Sequence, residues 1–370
     1  MMNSVKISKG GKLSIKSKLK VTEKNISDVY TPGVAEVVKL GMKSEKNVDK
    51  YTWRGNLVAV ISDGSAILGL GNQGPGPALP VMEAKSVLFK ELGGVDAIPI
   101  VLNTQDMETI ISTIKNISPS FGGINLEDIS APRCFEIEER LQKELDIPIF
   151  HDDQHGAAIA ILAGLINAAK VAEKDLKKDL IVVSGAGAAG VATIKLLHAY
   201  GCRNLALFDS RGGICKTCAN PTKAKAEIAR MNNLDNPSRT LREALVGADI
   251  FIGLSVGNLL TTENIKTMND KSIVFALANP MPEILPEDAE RGGAYVIGTG
   301  RSDFPNQINN ALVFPGIFKG LLAKNKNIVS IKDEIRVAET IARLVKKPTR
   351  TRLLPAVTDK RVAKEVSKAV

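Results

Sequence analysis

The feature that most constrains this chain is Gly185-Ala186-Gly187-Ala188-Ala189-Gly190, a G-x-G-x-x-G set between a β-branched run ending at Ser184 and the apolar stretch from Val191 to Tyr200. A strand that passes through such glycines directly into a helix leaves the first backbone N–H groups of that helix free. Those groups, at the positive end of the helix dipole, suit a pyrophosphate. Alone the pattern is also met by a turn that only permits close packing. Asp209 decides between the two: it closes the next apolar run nineteen positions after Gly190, where a carboxylate would bind the hydroxyls of an adenine ribose. The turn is therefore read as a dinucleotide site. Asp209 favours NAD, while Ser210 and Arg211 follow at once and leave NADP open.

Around this turn, short β-branched runs at 179–184, 204–209, 248–255, 272–278 and 295–298 alternate with helical stretches. That alternation predicts an α/β fold with a Rossmann-like, doubly wound parallel sheet. The first half predicts strands at 57–61, 97–102 and 123–126, a glycine-rich loop at 69–77, and helices at 81–92 and 134–144. At 370 residues the chain exceeds what one core usually serves. The predicted division is an N-terminal α/β domain at 1–156, a dinucleotide domain at 157–310, and helices at 311–370 that pack back on the first domain.

No uninterrupted apolar run approaches the ~18 residues that span a bilayer, and the longest, 157–169, has the length of a buried core helix. The first twenty residues scatter lysines without an apolar stretch, so neither a secretory signal nor a membrane segment is expected, and a cytoplasmic location follows by default. Cys215 and Cys218 form a C-x-x-C without a second Cys or His pair nearby. They are read as two reduced thiols on a loop rather than as zinc ligands. The net charge of +9 gathers before Glu23 and after Lys346 without interleaved aromatics. Such stretches act as solvated edges or as a field for anionic substrate and cofactor, and no nucleic-acid partner is expected.

Three carboxylates follow apolar runs: Glu127 and Asp128 after 123–126, and Asp153 after 147–150. Oxygen-only donors from two strand ends suit Mg²⁺ or Mn²⁺. Neighbours on a regular strand point to opposite faces, so Glu127 and Asp128 share an ion only where the strand has ended. Without an ion, such a pair is a helix cap or a solvated edge. His151 and His155 flank Asp152 and Asp153 and are read as supporting the carboxylates, not as ligands. His198, on an amphipathic helix, is read as partly buried and structural. On spacing alone Tyr30 is a packing anchor before the Pro32-Gly33 turn. Lys85 is in the same position, a solvated helix lysine, unless a nearby cation lowers its pKa and makes it a general base.

In order along the chain, these motifs resemble the malic enzymes, in particular the short bacterial and archaeal form, over about residues 30–322. The carriers are Tyr30-Thr31-Pro32-Gly33-Val34-Ala35, the run from Ser62 to Asn72, Pro80 to Lys85, Asn125 to Ile129, Phe150 to Gly156, Ala278-Asn279-Pro280 and Thr299 to Asp303. The resemblance implies that Tyr30 is a general acid and Lys85 a general base, with Asp152 in support. It implies that Glu127, Asp128 and Asp153 hold Mn²⁺ or Mg²⁺, that Asn279 lies between nicotinamide and malate, and that Asn309 and Asn310 lie near the substrate carboxylate. The implied reaction is oxidation and decarboxylation of malate to pyruvate with NAD or NADP, and decarboxylation of oxaloacetate besides. Two alternatives stay open: conversion of malate to lactate with NAD retained, and a dinucleotide-binding protein without catalysis. The family also implies a homodimer in which the segment carrying Tyr30 reaches the partner's site. Three positions depart from the family pattern: Ala66 stands where the larger malic enzymes place a substrate-clamping arginine, Ala157 replaces a threonine, and the loop 73–77 is richer in Gly and Pro.

Overall fold

The computed structural model describes residues 4–218, 222–232 and 240–370. Two sheets organise them. The first holds four parallel strands in the order β2-β1-β3-β4, with β1 at Leu57–Ser62, β2 at Asp96–Val101, β3 at Gly123–Leu126 and β4 at Ile149–His151. β1 is buried at every residue, as the unbroken apolar run Leu-Val-Ala-Val-Ile requires of a strand covered on both faces.

The second sheet runs β10-β9-β8-β5-β6-β7, from β5 (Ile181–Ser184), β6 (Leu205–Asp209), β7 (Gly212–Gly213), β8 (Ile250–Gly253), β9 (Ile273–Ala276) and β10 (Val296–Thr299). All pairs are parallel except β6 with β7. Each of the five predicted runs holds one strand to within a residue or two. The two-residue β7 was not foreseen, because two glycines carry no hydrophobic pattern. Strand order reverses between β1 and β3 in one sheet and between β5 and β8 in the other. At such a reversal the crossovers leave on opposite faces, and a crevice opens at the carboxyl ends of the strands.

Helix limits differ from the sequence reading at two places that matter for the site. The helix predicted at 81–92 begins at Pro75 and runs to Leu88, then widens into a π turn at Phe89–Gly93. The 69–77 segment is thus only partly loop. Pro75 occupies the first helical position, where its missing N–H costs nothing, behind Gly74 at φ +79°. The apolar helix expected from residue 157 begins at Asp152 and extends to Ala172, so Asp152 and Asp153 form its first turn. This helix is long and apolar enough to cross a bilayer, but 72% of its apolar window is buried inside the protein, as a core helix demands.

It packs against the helices Ala188–Tyr200 and Ile331–Arg343 and joins both sheets to the C-terminal segment. One apolar cluster runs from Val58 and Met82 through Ile161 and Ile181 to Val366. Phe314 and Phe318, on the helix Phe314–Lys324, set their rings 4.6 Å and 5.4 Å from that of Phe89. Such aromatic pairs each add roughly 0.5–1.5 kcal/mol beyond simple burial.

The N-terminal segment is different. Its helices Ser4–Ser8, Ile26–Val29, Val34–Gly41 and Glu45–Tyr51 contain no buried residue, and Val38, Met42 and Trp53 are exposed. Cys215 and Cys218 also depart from expectation, because they are joined as a disulfide rather than left as free thiols. The turn after β7 folds Cys218 N–H back onto the Cys215 carbonyl at 3.2 Å, which brings the two Cα atoms to 5.1 Å, within disulfide reach.

Candidate active site

The carboxyl ends of both sheets open into one cleft of about 940 Å³. On one wall lie Lys85, Glu127, Asp128 and Asp153; on the other lie Gly187, Ala188, Ala189, Asn279, Asn309 and Asn310. Residues more than 180 positions apart therefore face a shared space.

β3 ends at Leu126, and the turn beyond it resolves the problem of the adjacent acids. Asp128 takes φ +52°, a conformation that aspartate tolerates better than most side chains. Glu127, Asp128 and Asp153 each present a ligand oxygen within 4.8 Å of the others. The Asp128 N–H donates to Asp153 Oδ2 at 2.7 Å, and Asn125, two residues before Glu127, donates to Glu127 Oε2 at 2.9 Å. One oxygen, Asp128 Oδ2, is buried without a hydrogen-bond partner. Burial pushes the Asp128 carboxyl up to about 9, with the neighbouring Asp153 and Glu127 charges adding to it. Burial likewise pushes Asp153 up to about 6 and raises Glu127. Three converging hard donors with an unpartnered oxygen and mutual repulsion fit a divalent cation such as Mg²⁺ or Mn²⁺.

Lys85 is not solvated. Only 7% exposed, it donates from Nζ to Glu127 Oε1 at 2.5 Å and to Asp152 Oδ2, with the Phe314 ring centre 4.5 Å away. Burial alone would lower its pKa, but Asp152, Glu127 and Asp153 together raise it well above the ordinary lysine value. Burial pushes Asp152 itself up to about 7. Four carboxylates thus crowd one ammonium. Gly156 makes room for this: a Cβ there would strike Asp152 Oδ1, one turn earlier in the helix, and would lie 3.3 Å from Asn310 Cβ.

On the dinucleotide side, Gly185 sits at φ +115°, where a Cβ would run into the Leu254 carbonyl. A Cβ on Gly187 meets no protein atom within 4 Å, which leaves that face of the turn open to a ligand. The helix Ala188–Tyr200 starts without a side-chain cap, so its first N–H groups point into the opening. A second cavity of about 560 Å³ continues from the turn past Ser184, Asp209, Ser210, Thr222 and Lys225. Asp209 is held below the usual carboxylate range: burial opposes this, but Lys225 Nζ lies at 2.5 Å and the Arg211 N–H at 2.8 Å.

Comparison with known proteins follows the same division. Residues 9–142 match the malic enzyme N-terminal domain and residues 154–370 the malic enzyme NAD binding domain. The chain belongs to the malic enzyme family. It is 52% identical over 364 residues to the bifunctional malic/malolactic enzyme of Bacillus subtilis, covering 97% of this chain and 89% of the relative. It is 48% identical to an NAD-dependent malic enzyme of Geobacillus stearothermophilus over 98% of this chain and 76% of the relative. Among solved structures, an NAD-dependent malic enzyme of Thermotoga maritima superposes with a TM-score of 0.95 at 45% identity, over 100% of this chain and 99% of that one.

Within this malic enzyme Lys85, Glu127, Asp128, Asp153, Gly187, Ala188, Ala189, Asn279, Asn309 and Asn310, all expected from sequence, line the cleft, while Gly185, Ala186 and Asp209 line the second cavity and Asp152 lies fully buried behind Lys85. Tyr30 is 68% exposed and lines neither cavity of its own chain. His151 is completely buried with its Nδ1 3.9 Å from Asp153 Oδ2, and His155 lies between two glutamates, so each stands behind the carboxylates. His198 is partly buried. Four residues were not anticipated. Asn125 was recoverable, because positions two apart share a strand face. Asp63 lay within the Ser62–Asn72 run without a role of its own; it accepts from Ser65 Oγ at 2.5 Å and from Arg133 at 3.0 Å. Glu138 and Lys225 act from separate helices, and no local pattern links them to their partners.

Proposed function

We propose that this malic enzyme carries out metal-dependent oxidative decarboxylation of (S)-malate to pyruvate and CO₂ with reduction of NAD or NADP, and decarboxylates oxaloacetate at the same site. The observation that carries this reading is the buried Lys85 ammonium between Glu127 and Asp152, facing the Gly187 turn across one cleft. Residues 1–156 serve in it as the substrate and metal domain, 157–310 as the dinucleotide domain, and 311–370 as helices returning to the first.

Glu127, Asp128 and Asp153 would hold Mn²⁺ or Mg²⁺. When bound, the ion supplies Lewis acidity to the C2 oxygen of malate and steadies the charge left after CO₂ departs. Asn279 would stand beside the nicotinamide, which when bound would supply the hydride acceptor for C2. The chain's own work is proton transfer and orientation. With Glu127 engaged by a bound cation, Lys85 would keep one fewer counter-charge, and burial would favour its neutral form. Lys85 Nζ then takes the C2 hydroxyl proton, while Asp152 holds the resulting ammonium in place. Asn309 and Asn310 orient the substrate carboxylate. Asn309 Oδ1 already accepts from the Ala311 N–H at 2.8 Å, which leaves its amide N–H₂ for the ligand. Tyr30 delivers the proton to C3.

Tyr30 does so from a second copy of the chain. Its exposure, and four preceding and following helices without a buried residue, leave an apolar N-terminal surface that a homodimer would cover. The bifunctional name of the Bacillus subtilis relative favours a second reading, in which the NADH formed would stay bound and return its hydride to pyruvate, so that lactate leaves and NAD is regenerated in place.

Malate, Mn²⁺ and NAD or NADP incubated with the protein should give pyruvate and reduced cofactor in equal amounts. Lactate without reduced cofactor would support the second reading, and no product would remove both. Mixing Tyr30→Phe with Lys85→Ala subunits should restore about a quarter of wild-type activity by forming hybrid dimers with one intact site. No recovery after verified subunit exchange excludes the shared site.

A further inference from the structure

The helix Asp152–Ala172 begins at the point where the site needs accuracy, yet its N-cap residue, His151, supplies no side-chain cap. A carboxylate from another helix does that work. Glu138, on the helix Arg133–Glu144 and 5% exposed, accepts from the His151 backbone N–H at 2.8 Å, from Gln154 Nε2 at 2.9 Å and from His155 Nε2 at 3.0 Å. A fourth donor, Gln142 Nε2, approaches at 3.4 Å. The three close partners bracket Asp152 and Asp153 in sequence. On the opposite side of the same turn, Asp152 meets Lys85 and Asp153 accepts from the Asp128 N–H.

From this arrangement we infer that Glu138 is a positioning residue for the metal and base: it anchors the first helical turn so that Asp152 and Asp153 keep their places. The inference rests on the proposed metal site. A negative group at a helix N-terminus is favourable in itself. Here it also adds a carboxylate to a neighbourhood that already holds four, and His155 offsets that cost. The imidazole ring lies between two carboxylates, Nε2 at 3.0 Å from Glu138 Oε2 and Nδ1 at 2.7 Å from Glu334 Oε1. Glutamine cannot replace Glu138 fully. A carboxylate offers two accepting oxygens for four donors, whereas an amide offers one oxygen and turns its N–H₂ toward the remaining donors.

The test measures Mn²⁺ and NAD binding separately, in Glu138→Gln, Glu138→Ala and Glu334→Gln, with Mn²⁺ followed by electron paramagnetic resonance. Glu138→Gln should weaken Mn²⁺ about 10-fold and Glu138→Ala more, at unchanged NAD affinity, with KM for malate rising in step. Glu334→Gln cuts the same network at the end remote from His151; it should lower the melting temperature and leave Mn²⁺ affinity within about twofold. If Glu138→Ala does not fold, Glu138→Gln against Glu334→Gln still decides. Wild-type Mn²⁺ affinity in folded Glu138→Gln, or equal losses in both variants, overturns the positioning role alone. A wild-type protein that holds no Mn²⁺ overturns the metal reading beneath it.

Discussion

The Lys85 ammonium donates to Glu127 Oε1 at 2.5 Å, so the candidate base and a candidate metal ligand share one buried contact. Removing Lys85 therefore touches two properties. Lys85→Ala should lower kcat by about 10²–10⁴ with the dinucleotide Kd unchanged, as loss of a general base does. The metal-free variant should also melt earlier, since Asp152 and Glu127 lose their cation. Steady-state kinetics and calorimetry measure both. A fully active variant removes Lys85 from the chemistry.

Gly156 separates helix stability from site geometry. Alanine is the better helix former by about 1 kcal/mol, so Gly156→Ala should not lower the melting temperature by weakening the helix. The added methyl nevertheless strikes Asp152 Oδ1. The expected outcome is a folded protein with kcat reduced about 10²-fold, the penalty for a displacement near 1 Å. Normal turnover would show that Asp152 can shift freely.

Lys225 bears on the choice between cofactors. It neutralises Asp209 at 2.5 Å, and together with Arg211 gives the ribose end of the cavity an excess of positive charge. Lys225→Ala frees the carboxylate, which would then repel a 2′-phosphate. The ratio of kcat/KM for NADP over NAD should fall about 10-fold or more, as expected for loss of one charge-assisted contact. An unchanged ratio would place the discrimination elsewhere.

Asp333 gives a pH test away from the site. It caps the helix Ile331–Arg343 with Ser330 and pairs with Lys326 at 2.6 Å and with Arg336. Burial alone would raise its pKa, but these partners hold it down to about 2. A depressed carboxyl contributes stability that is present above its unfolded value and is lost as pH falls through the folded one. Asp333→Asn should therefore cost about 1 kcal/mol at neutral pH, an amount reduced by nearby solvent, with the difference from wild type closing between about pH 4 and 2. Denaturant titrations across that range check it; a difference that does not change with pH would show that the charge contributes nothing.

The sequence by itself determined the parallel strands, the dinucleotide turn and the identity of the carboxylates and lysine, because local periodicity and strand-end chemistry are written within a few residues. Asp209 could be placed at the end of its strand for the same reason. Tertiary structure alone decided what those groups touch. Lys85 reads as solvated until Asp152, 67 positions later, and Phe314 enclose it. The Asp152-Asp153 pair reads as a loop until Glu138 and the packing of the apolar helix start that helix five residues early. Cys215 and Cys218 read as separate thiols until a two-glycine strand turns one onto the other. Charge state, burial and exact placement arise from groups brought together by folding over long sequence separations, and Tyr30 carries this furthest: its own chain leaves it exposed, and the role proposed for it calls on a second copy.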